Sequence, residues 1–258
     1  MNELKKGQLI LLLFLMLSLP LIGVEGNAND YHQSLVPRDD RYTRLSWTVI
    51  GAPSMAVEWG WMGEGAWLAT NGSTMTFSIL EIDSYLTGNL TIGNFTRITN
   101  NTDIARELVL GVWGLTPFFP GLLVMIGQTN LDTLNETAYA SAERVQGNYL
   151  NGTMESRYEE VTVDDDTYYC LIFEYEQDPS GFGEPQSTYL AYDTVTGILI
   201  KADTSVTIIN PYQLILDYSG LEVITTTTLP FDPLLLGISI GSGLFVVIIV
   251  VLVKMQRR

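Results

Sequence analysis

Cysteine and histidine each occur once in the 258 residues of this chain. The single thiol, Cys170, excludes an intramolecular disulfide, so an apolar core must stabilise the fold. Because a thiol nucleophile needs a histidine partner, Cys170 is interpreted as a small buried side chain in a tyrosine-rich strand. The one histidine, His32, lies far from it in a polar N-terminal segment, residues 29–44, that we interpret as a lead-in tail.

Positive charge is scarce as well. The chain has 13 lysines and arginines against 29 aspartates and glutamates, a formal net charge of −16. Residues 30–230 carry 8 basic and 26 acidic side chains, a net charge of −18. A field of this sign repels phosphate backbones and anionic lipid headgroups, which argues against a nucleic-acid partner.

Familiar catalytic and cofactor motifs are missing. The sequence has no HExxH, no Cys/His metal spacing, no phosphate loop and no Gly-X-Ser-X-Gly, so we expect no catalytic residue, cofactor or metal. The run Asp164-Asp165-Asp166 lacks the glycine and distal glutamate of a calcium loop and predicts a solvated turn.

One grouping suggests a glycosidase, which needs two carboxylates about 5–10 Å apart in an aromatic cleft. It consists of Glu58 and Glu64 near three tryptophans, Trp59, Trp61 and Trp67. Tryptophans on a strand are more often part of the core, which favours that simpler interpretation.

Long uncharged runs stand at both ends. Residues 1–28 have two lysines, an apolar stretch and small residues, the order of a secretory signal peptide, with an uncleaved signal anchor as the alternative. Residues 234–253 form a 20-residue uncharged run, long enough as a helix to cross a bilayer of about 30 Å. The basic tail 254–258 predicts a cytoplasmic C-terminus, so we expect a single-pass type I protein of the cell membrane with an extracellular ectodomain.

The expected ectodomain is a β-rich domain, residues 45–222, followed by a Thr/Pro stalk, residues 223–233. Sequons for N-glycosylation start at six asparagines, and exposed ones become acceptors in an exported chain: Asn71, Asn89, Asn94, Asn100, Asn135 and Asn151. Within the predicted membrane helix, Gly237 and Gly241 form a GxxxG, a candidate contact for homodimerisation.

Alternating residues predict an antiparallel meander in the C-terminal third. One predicted strand places Tyr169, Leu171, Phe173 and Tyr175 on one face, and a later one repeats this with Tyr212, Leu214, Leu216 and Tyr218. Between them, residues 193–197 predict a hairpin loop with Gly197 at a positive φ. Residues 131–145 have helical spacing, with Asn130 as the N-cap and Gly147 as the end. The predicted fold class is mainly β or α+β: a curved antiparallel sheet with about one packed helix, as in a β-sandwich or half-barrel.

Residues 108–127 form a second uncharged run of 20 residues. Two prolines and the flanking sequons argue against a membrane span, and we expect two buried strands joined by a Pro/Phe loop. The sharper hypothesis is that Trp113, Phe118 and Phe119 line an apolar ligand pocket or touch the membrane.

The whole arrangement, from signal peptide and acidic Thr/Asn-rich β domain to Thr stalk, single span and terminal arginines, resembles archaeal cell-surface glycoproteins. The meander with its Tyr-Asp-X-X-Thr-Gly hairpin at residues 192–197 is similar to the curved sheets of LolA-like lipid carriers. The first resemblance implies location, and the second implies a sheet that shelters a lipid.

The expected function is therefore that of a membrane-anchored, non-enzymatic extracellular binding or envelope protein. Its partner would be an apolar or lipid ligand, an envelope glycan or another protein. A surface-anchored glycan hydrolase and a purely structural envelope component are the alternatives.

Overall fold

A computed structural model describes residues 28–60, 64–83, 85–109, 117–147, 150–179, 184–207 and 211–225. The chain divides into two compact units, residues 1–224 and 225–258, and all described residues except Thr225 belong to the first. The predicted signal peptide, the predicted membrane helix with Gly237 and Gly241, and all but the first three stalk residues lie outside the described part. No helix among the residues that the structure describes is both long and apolar enough to cross a bilayer.

The fold is mainly β, with 55% of the described residues in strands and a nine-stranded antiparallel sheet. This confirms the predicted class at that level. The strands, numbered along the chain, are β1 (Arg41–Gly51), β2 (Val57–Glu58), β3 (Ala66–Trp67), β4 (Thr74–Ile82), β5 (Leu86–Ile92), β6 (Phe95–Asn100), β7 (Gly152–Val163), β8 (Asp166–Gln177), β9 (Glu184–Asp193), β10 (Leu199–Thr207) and β11 (Pro211–Thr225). Their order in the large sheet is β6-β5-β4-β1-β11-β10-β9-β8-β7, and β2 pairs with β3 separately.

Two meanders meet in the middle of this sheet, where the last strand lies beside the first. Arg44 of β1 forms an ion pair with Glu222 of β11 at 3.7 Å. A second close approach involves Gly51, seven residues after Arg44 on β1, where a Cβ would lie 2.9 Å from Ile215. Ile215 comes seven residues before Glu222 on β11. The two strands therefore run antiparallel, and their pairing joins the two meanders into one sheet.

One face of the sheet carries that core. Cross-strand partners share a face, and Phe173, Leu190, Ala202 and Leu216 lie opposite one another across β8 to β11. All four are buried, as are Trp47 of β1 and Phe77 of β4. The indole N–H of Trp47 donates to the carbonyl of Leu199 at 2.7 Å, which links the two meanders through the core. We call this side the core face and the opposite side of β7 to β11 the pocket face.

The meander prediction is confirmed, with one exception on β8. Leu171, Phe173 and Tyr175 are buried on the core face, but Tyr169 is 54% exposed and stacks on Tyr158 of the edge strand, with ring centroids 6.0 Å apart. On β11, Leu214 and Leu216 are buried, while Tyr212 and Tyr218 are half-buried.

The hairpin between β9 and β10 forms as predicted. Gly197 has φ +75°, and Asp193 Oδ2 accepts hydrogen bonds from the backbone N–H (2.9 Å) and hydroxyl (2.6 Å) of Thr196. A side chain at Gly197 would lie 2.1 Å from the carbonyl oxygen of Val124. The turn thus needs glycine both for its φ and for its close approach to residues 117–127, which we call the crossing segment.

Helix α1 (Asn101–Ile104) continues into a π turn, Ala105–Val109, and the longer helix α2 is Gln128–Arg144. The apolar stripe of α2 packs as predicted, with Leu131, Ala138 and Ala142 buried. The predicted N-cap is wrong: α2 begins after Gly127, which has φ +92°, and Asn130 instead donates its amide to the carbonyl of Ile126. The helix ends at Arg144, and Gly147 adopts φ +75° in the turn that follows.

Of the two strands predicted in residues 108–127, the second is wrong, and the first lies mostly outside the described residues. Leu108 lies in the π turn, and residues 122–126 form no strand beyond one bridge, Leu123 to Ile198. The buried amide of Asn101 holds this segment instead, because its Oδ1 accepts from Leu122 N and its Nδ2 donates to Leu123 O. Residues 110–116, with Trp113, lie outside the described part.

Residues 28–40 are not the lead-in tail that we expected. Leu35 is fully buried, Tyr31 is nearly so, and the Thr43 hydroxyl donates to the carbonyl of Ser34. Strand β1 then begins at Arg41, four residues before the predicted start of the domain. At the other end, β11 continues to Thr225 and takes in the first residues of the predicted stalk.

Candidate functional site

Two of the three side chains predicted to line an apolar ligand pocket lie in the core. Phe118 and Phe119 are buried, and the Phe118 ring contacts Phe173 with centroids 5.0 Å apart. They fill space between the crossing segment and the core face. Their role in ligand binding stays a prediction, as does that of Trp113, which lies outside the described residues.

The candidate glycosidase grouping does not present two free carboxylates. Glu64 forms an ion pair with Arg97 at 2.5 Å, and Glu58 is exposed at the end of the two-residue strand β2. Trp59 and Trp67 are buried, which confirms their interpretation as core side chains. Trp61 lies outside the described residues.

The six sequon asparagines differ in whether their amide nitrogen is free for a glycan. Asn94 is exposed in the tight turn between β5 and β6, and Asn71 is exposed in a turn where only its Oδ1 accepts a bond, from Ala52. By contrast, the Nδ2 atoms of Asn100 and Asn151 donate to Asp103 and Asp178. Of the other two, Asn135 Oδ1 accepts from Ser156 and Asn89 is half-buried within β5. Asn94 and Asn71 are thus the best candidates.

The pocket face carries an open cavity of about 410 Å³. It is lined by seven side chains from the three strands β7, β9 and β10: Arg157, Glu159, Glu160, Val161, Tyr189, Lys201 and Asp203. This is within the usual size range of small-ligand sites, about 300–1,000 Å³. No residue of this cavity was among the candidates that the sequence suggested.

Strand register explains how these side chains come together. One row across the sheet is Arg157, Ile172, Ala191, Lys201 and Asp217, and the adjacent row is Glu155, Glu174, Tyr189, Asp203 and Ile215. Ile172 and Ala191 are fully buried, so the floor between the two cations is apolar. The wall is charged because the first row places Arg157 and Lys201 on either side of this floor, and the second row adds the carboxylates of Glu174 and Asp203.

Arg157 is held in place by two carboxylates. Its Nη1 and Nη2 donate to Glu174 at 2.6 and 3.0 Å, and its Nε donates to Glu159 at 2.7 Å. The hydrogen bonds from Arg157 hold the pKa of Glu174 below its usual value. Planar, bidentate pairs of this kind are among the more specific ion pairs in proteins, so this side of the cavity has a defined shape.

The other side of the cavity is less tightly paired. Lys201 Nζ lies 3.8 Å from Asp217 Oδ1, a buried oxygen that accepts no hydrogen bond from the residues that the structure describes. Asp203 has neither an ion pair nor a hydrogen bond in the described part of the chain, and burial raises the pKa of its carboxyl. Burial likewise raises the pKa of Tyr189 to about 12, so its ring carries a neutral hydroxyl at physiological pH.

A signal for this site existed in the sequence. Only 8 basic residues occur between positions 30 and 230, and two of them, Arg157 and Lys201, lie in this cavity. In a chain so poor in positive charge, long basic side chains on the strand face opposite the core are unusual. Arg157 and Lys201 come together only through the register of four strands, which the sequence pattern does not predict.

In the described ranges, no group of three or more histidine, cysteine or acidic side chains is placed to hold a metal ion. Asp164 and Asp165 form an exposed turn between β7 and β8, as predicted. Cys170 is buried, which confirms its interpretation, and burial raises the pKa of its thiol to about 12.

No protein-family model, curated protein or solved structure matches this chain. The function must therefore be argued from the cavity and its chemistry.

Proposed function

We propose that this protein is a membrane-anchored, non-enzymatic binding protein of the cell surface, whose ligand site is the cavity on the pocket face. In this proposal, residues 234–253 anchor the chain, and the β domain lies outside the cell. The observation that carries the proposal is an open cavity of about 410 Å³ whose wall combines ion-paired, unpaired and aromatic side chains.

The cavity favours a polar ligand over a lipid. Five of its seven lining side chains are charged and one is a tyrosine, and Val161 is the one aliphatic side chain among them. Burying an acyl chain there would desolvate those charges without replacing their hydrogen bonds, which is costly. A polar group of an envelope glycan or of a partner protein could instead bond to Lys201 and Asp203.

The fixed position of the Arg157 side chain supports a role in ligand binding, because a surface that only faces solvent does not need it. Glu159 and Glu174 already order the long side chain of Arg157, so a ligand would not have to immobilise it. Ordering a flexible side chain costs about 0.5–1.5 kcal/mol on association. That cost is avoided on this side of the cavity.

Titration calorimetry on the full-length chain in detergent tests the proposal. The panel comprises a neutral oligosaccharide, an amino-sugar oligomer and a fatty acid. We expect a polar probe to bind and Tyr189→Ala to weaken its binding at least tenfold, whereas Tyr85→Ala, at an exposed tyrosine just before β5, leaves it unchanged. Binding of the fatty acid alone, or equal binding by both variants, would contradict the proposal.

A glycan hydrolase is the second candidate, because burial raises the pKa of Asp203 in the direction a general acid needs. Its partner carboxylate would have to be Glu159 or Glu160, and Glu159 is neutralised by Arg157. Release of reducing ends from the oligosaccharides, abolished by Asp203→Asn, would favour the hydrolase over the binding protein.

A further inference from the structure

We propose that the corner of the cavity formed by Tyr189 and Asp203 binds the ammonium group of an organic amine. This rests on the proposed function and names the chemical class of its ligand. The ligand could be an amino sugar, an amine-bearing lipid headgroup or a lysine side chain, which share the same cationic group.

The register places an aromatic ring between two carboxylates. Tyr189 of β9 pairs with Glu174 of β8 on one side and with Asp203 of β10 on the other. Directly opposite residues have Cβ atoms about 4.5–5.5 Å apart, so both carboxylates are within reach of a group seated over the ring. A ring face and a carboxylate are the two features that attract an organic cation.

Of these two carboxylates, only Asp203 is available. Both oxygens of Glu174 accept hydrogen bonds from Arg157. Asp203 accepts none from any residue in the described ranges, and no cation forms an ion pair with it there. A partly buried carboxylate without a donor gains most from a ligand that brings both a positive charge and N–H groups.

The overall charge of the cavity also favours a cation. Arg157 and Lys201 face Glu159, Glu160, Glu174, Asp203 and Asp217, which leaves three carboxylates in excess. Two cations oppose a ligand cation here: Lys201 lies two residues from Asp203 on the same strand and favours the ionised form of that acid, and Arg157 acts on Tyr189. The ion pair with Asp217 draws Lys201 toward β11, away from the Tyr189 side.

Burial of Asp203 gives the binding a measurable consequence. Burial disfavours the ionised carboxylate and so raises the pKa of Asp203, and a cation bound beside it offsets that penalty by favouring the ionised form. Removing the charge while keeping the shape, as in Asp203→Asn, should therefore weaken amine binding without disturbing the fold.

The experiment is a ligand-observed NMR titration of the full-length chain at pH 7 and 150 mM salt. The probes are butylammonium, with butyrate and butanol as matched anionic and neutral controls. We expect butylammonium to bind most tightly, Asp203→Asn and Tyr189→Leu each to weaken it at least tenfold (about 1.4 kcal/mol), and Tyr189→Phe to retain it. The control Asp165→Asn, which removes an exposed acid in the β7–β8 turn, should change nothing, because general attraction to an acidic protein is not the cause.

The outcomes separate the two proposals. Equal affinity for butylammonium and butanol, or loss of affinity in Asp165→Asn as large as in Asp203→Asn, would overturn the amine site. If a neutral oligosaccharide binds the cavity and is lost in Tyr189→Ala while butylammonium does not bind, the proposed function stands and the amine inference fails. Urea unfolding midpoints within error of the parent show that the variants are folded.

Discussion

Asn101 offers the sharpest test of how this fold is held together, because one side chain organises the segment that crosses the sheet. Its Oδ1 accepts from Leu122 N (2.7 Å) and Leu123 N (3.3 Å), and its Nδ2 donates to the carbonyls of Pro120 (3.1 Å) and Leu123 (2.8 Å). Gly121 has φ +110°, and a Cβ there would lie 2.4 Å from Asn101 Nδ2. The segment is thus wrapped closely around the amide.

The loss of stability expected for Asn101→Ala follows from these hydrogen bonds. A net contribution of about 0.5–1.5 kcal/mol applies to each hydrogen bond, and leaving a buried backbone group without a partner costs about 1–3 kcal/mol. Three bonds of 3.1 Å or less at about 1 kcal/mol each predict that Asn101→Ala lowers the free energy of unfolding by about 3 kcal/mol. Asn101→Asp should cost at least as much, because it replaces the donor with an oxygen that faces two carbonyl oxygens.

The assay is urea unfolding followed by tryptophan fluorescence, with protein from a host that does not N-glycosylate. Asn94→Ala is the matched control: that residue is exposed in a turn, so its change should stay within about 0.5 kcal/mol. A loss below about 1 kcal/mol for Asn101→Ala, or a stable Asn101→Asp, would refute the argument that this amide holds the crossing segment.

Three further outcomes follow. Asp164 has φ +52°, so Asp164→Val should lower the free energy of unfolding by about 1–2 kcal/mol while Asp164→Asn does not, and equal urea midpoints would contradict this. Cys170 should resist alkylation at pH 8 until urea unfolds the chain, because the thiol is buried with its pKa raised to about 12; rapid labelling of the folded protein would count against that burial. The pKa of Glu174 is lowered in the folded state, so its stabilisation is present above the usual value of 4.5 and is lost as the pH falls through the folded value. Thermal unfolding of Arg157→Gln should therefore occur at a lower temperature than that of the parent at pH 7, with a gap that narrows as the pH falls below 4.5, and a gap that is independent of pH would exclude this ion pair as the cause.

The sequence alone determined the features that depend on neighbouring residues. Strand alternation placed Leu171, Phe173 and Tyr175 on one face, and Gly197 marked the hairpin, because pleating and positive φ are properties of a few consecutive residues. Helical spacing located α2 to within three residues at its start. These local rules also predicted a mainly β fold with a C-terminal meander.

Only the tertiary structure decided what depends on distant partners. Tyr169 has the same parity as its buried neighbours yet is exposed, because it lies near the end of β8, where it stacks on Tyr158 of the edge strand. Residues 122–126 have strand-like composition, but the amide of Asn101, some 20 positions earlier, holds them in an irregular path.

The candidate site is also a feature that only the tertiary structure decided. Arg157 and Asp203 are 46 positions apart, and they meet because four strands pair in one register. A shift of one residue in any of those pairings would send their side chains to the core face. Register is set by the sum of many cross-strand contacts, which is why composition and spacing predicted the sheet but not the cavity that we propose as its binding site.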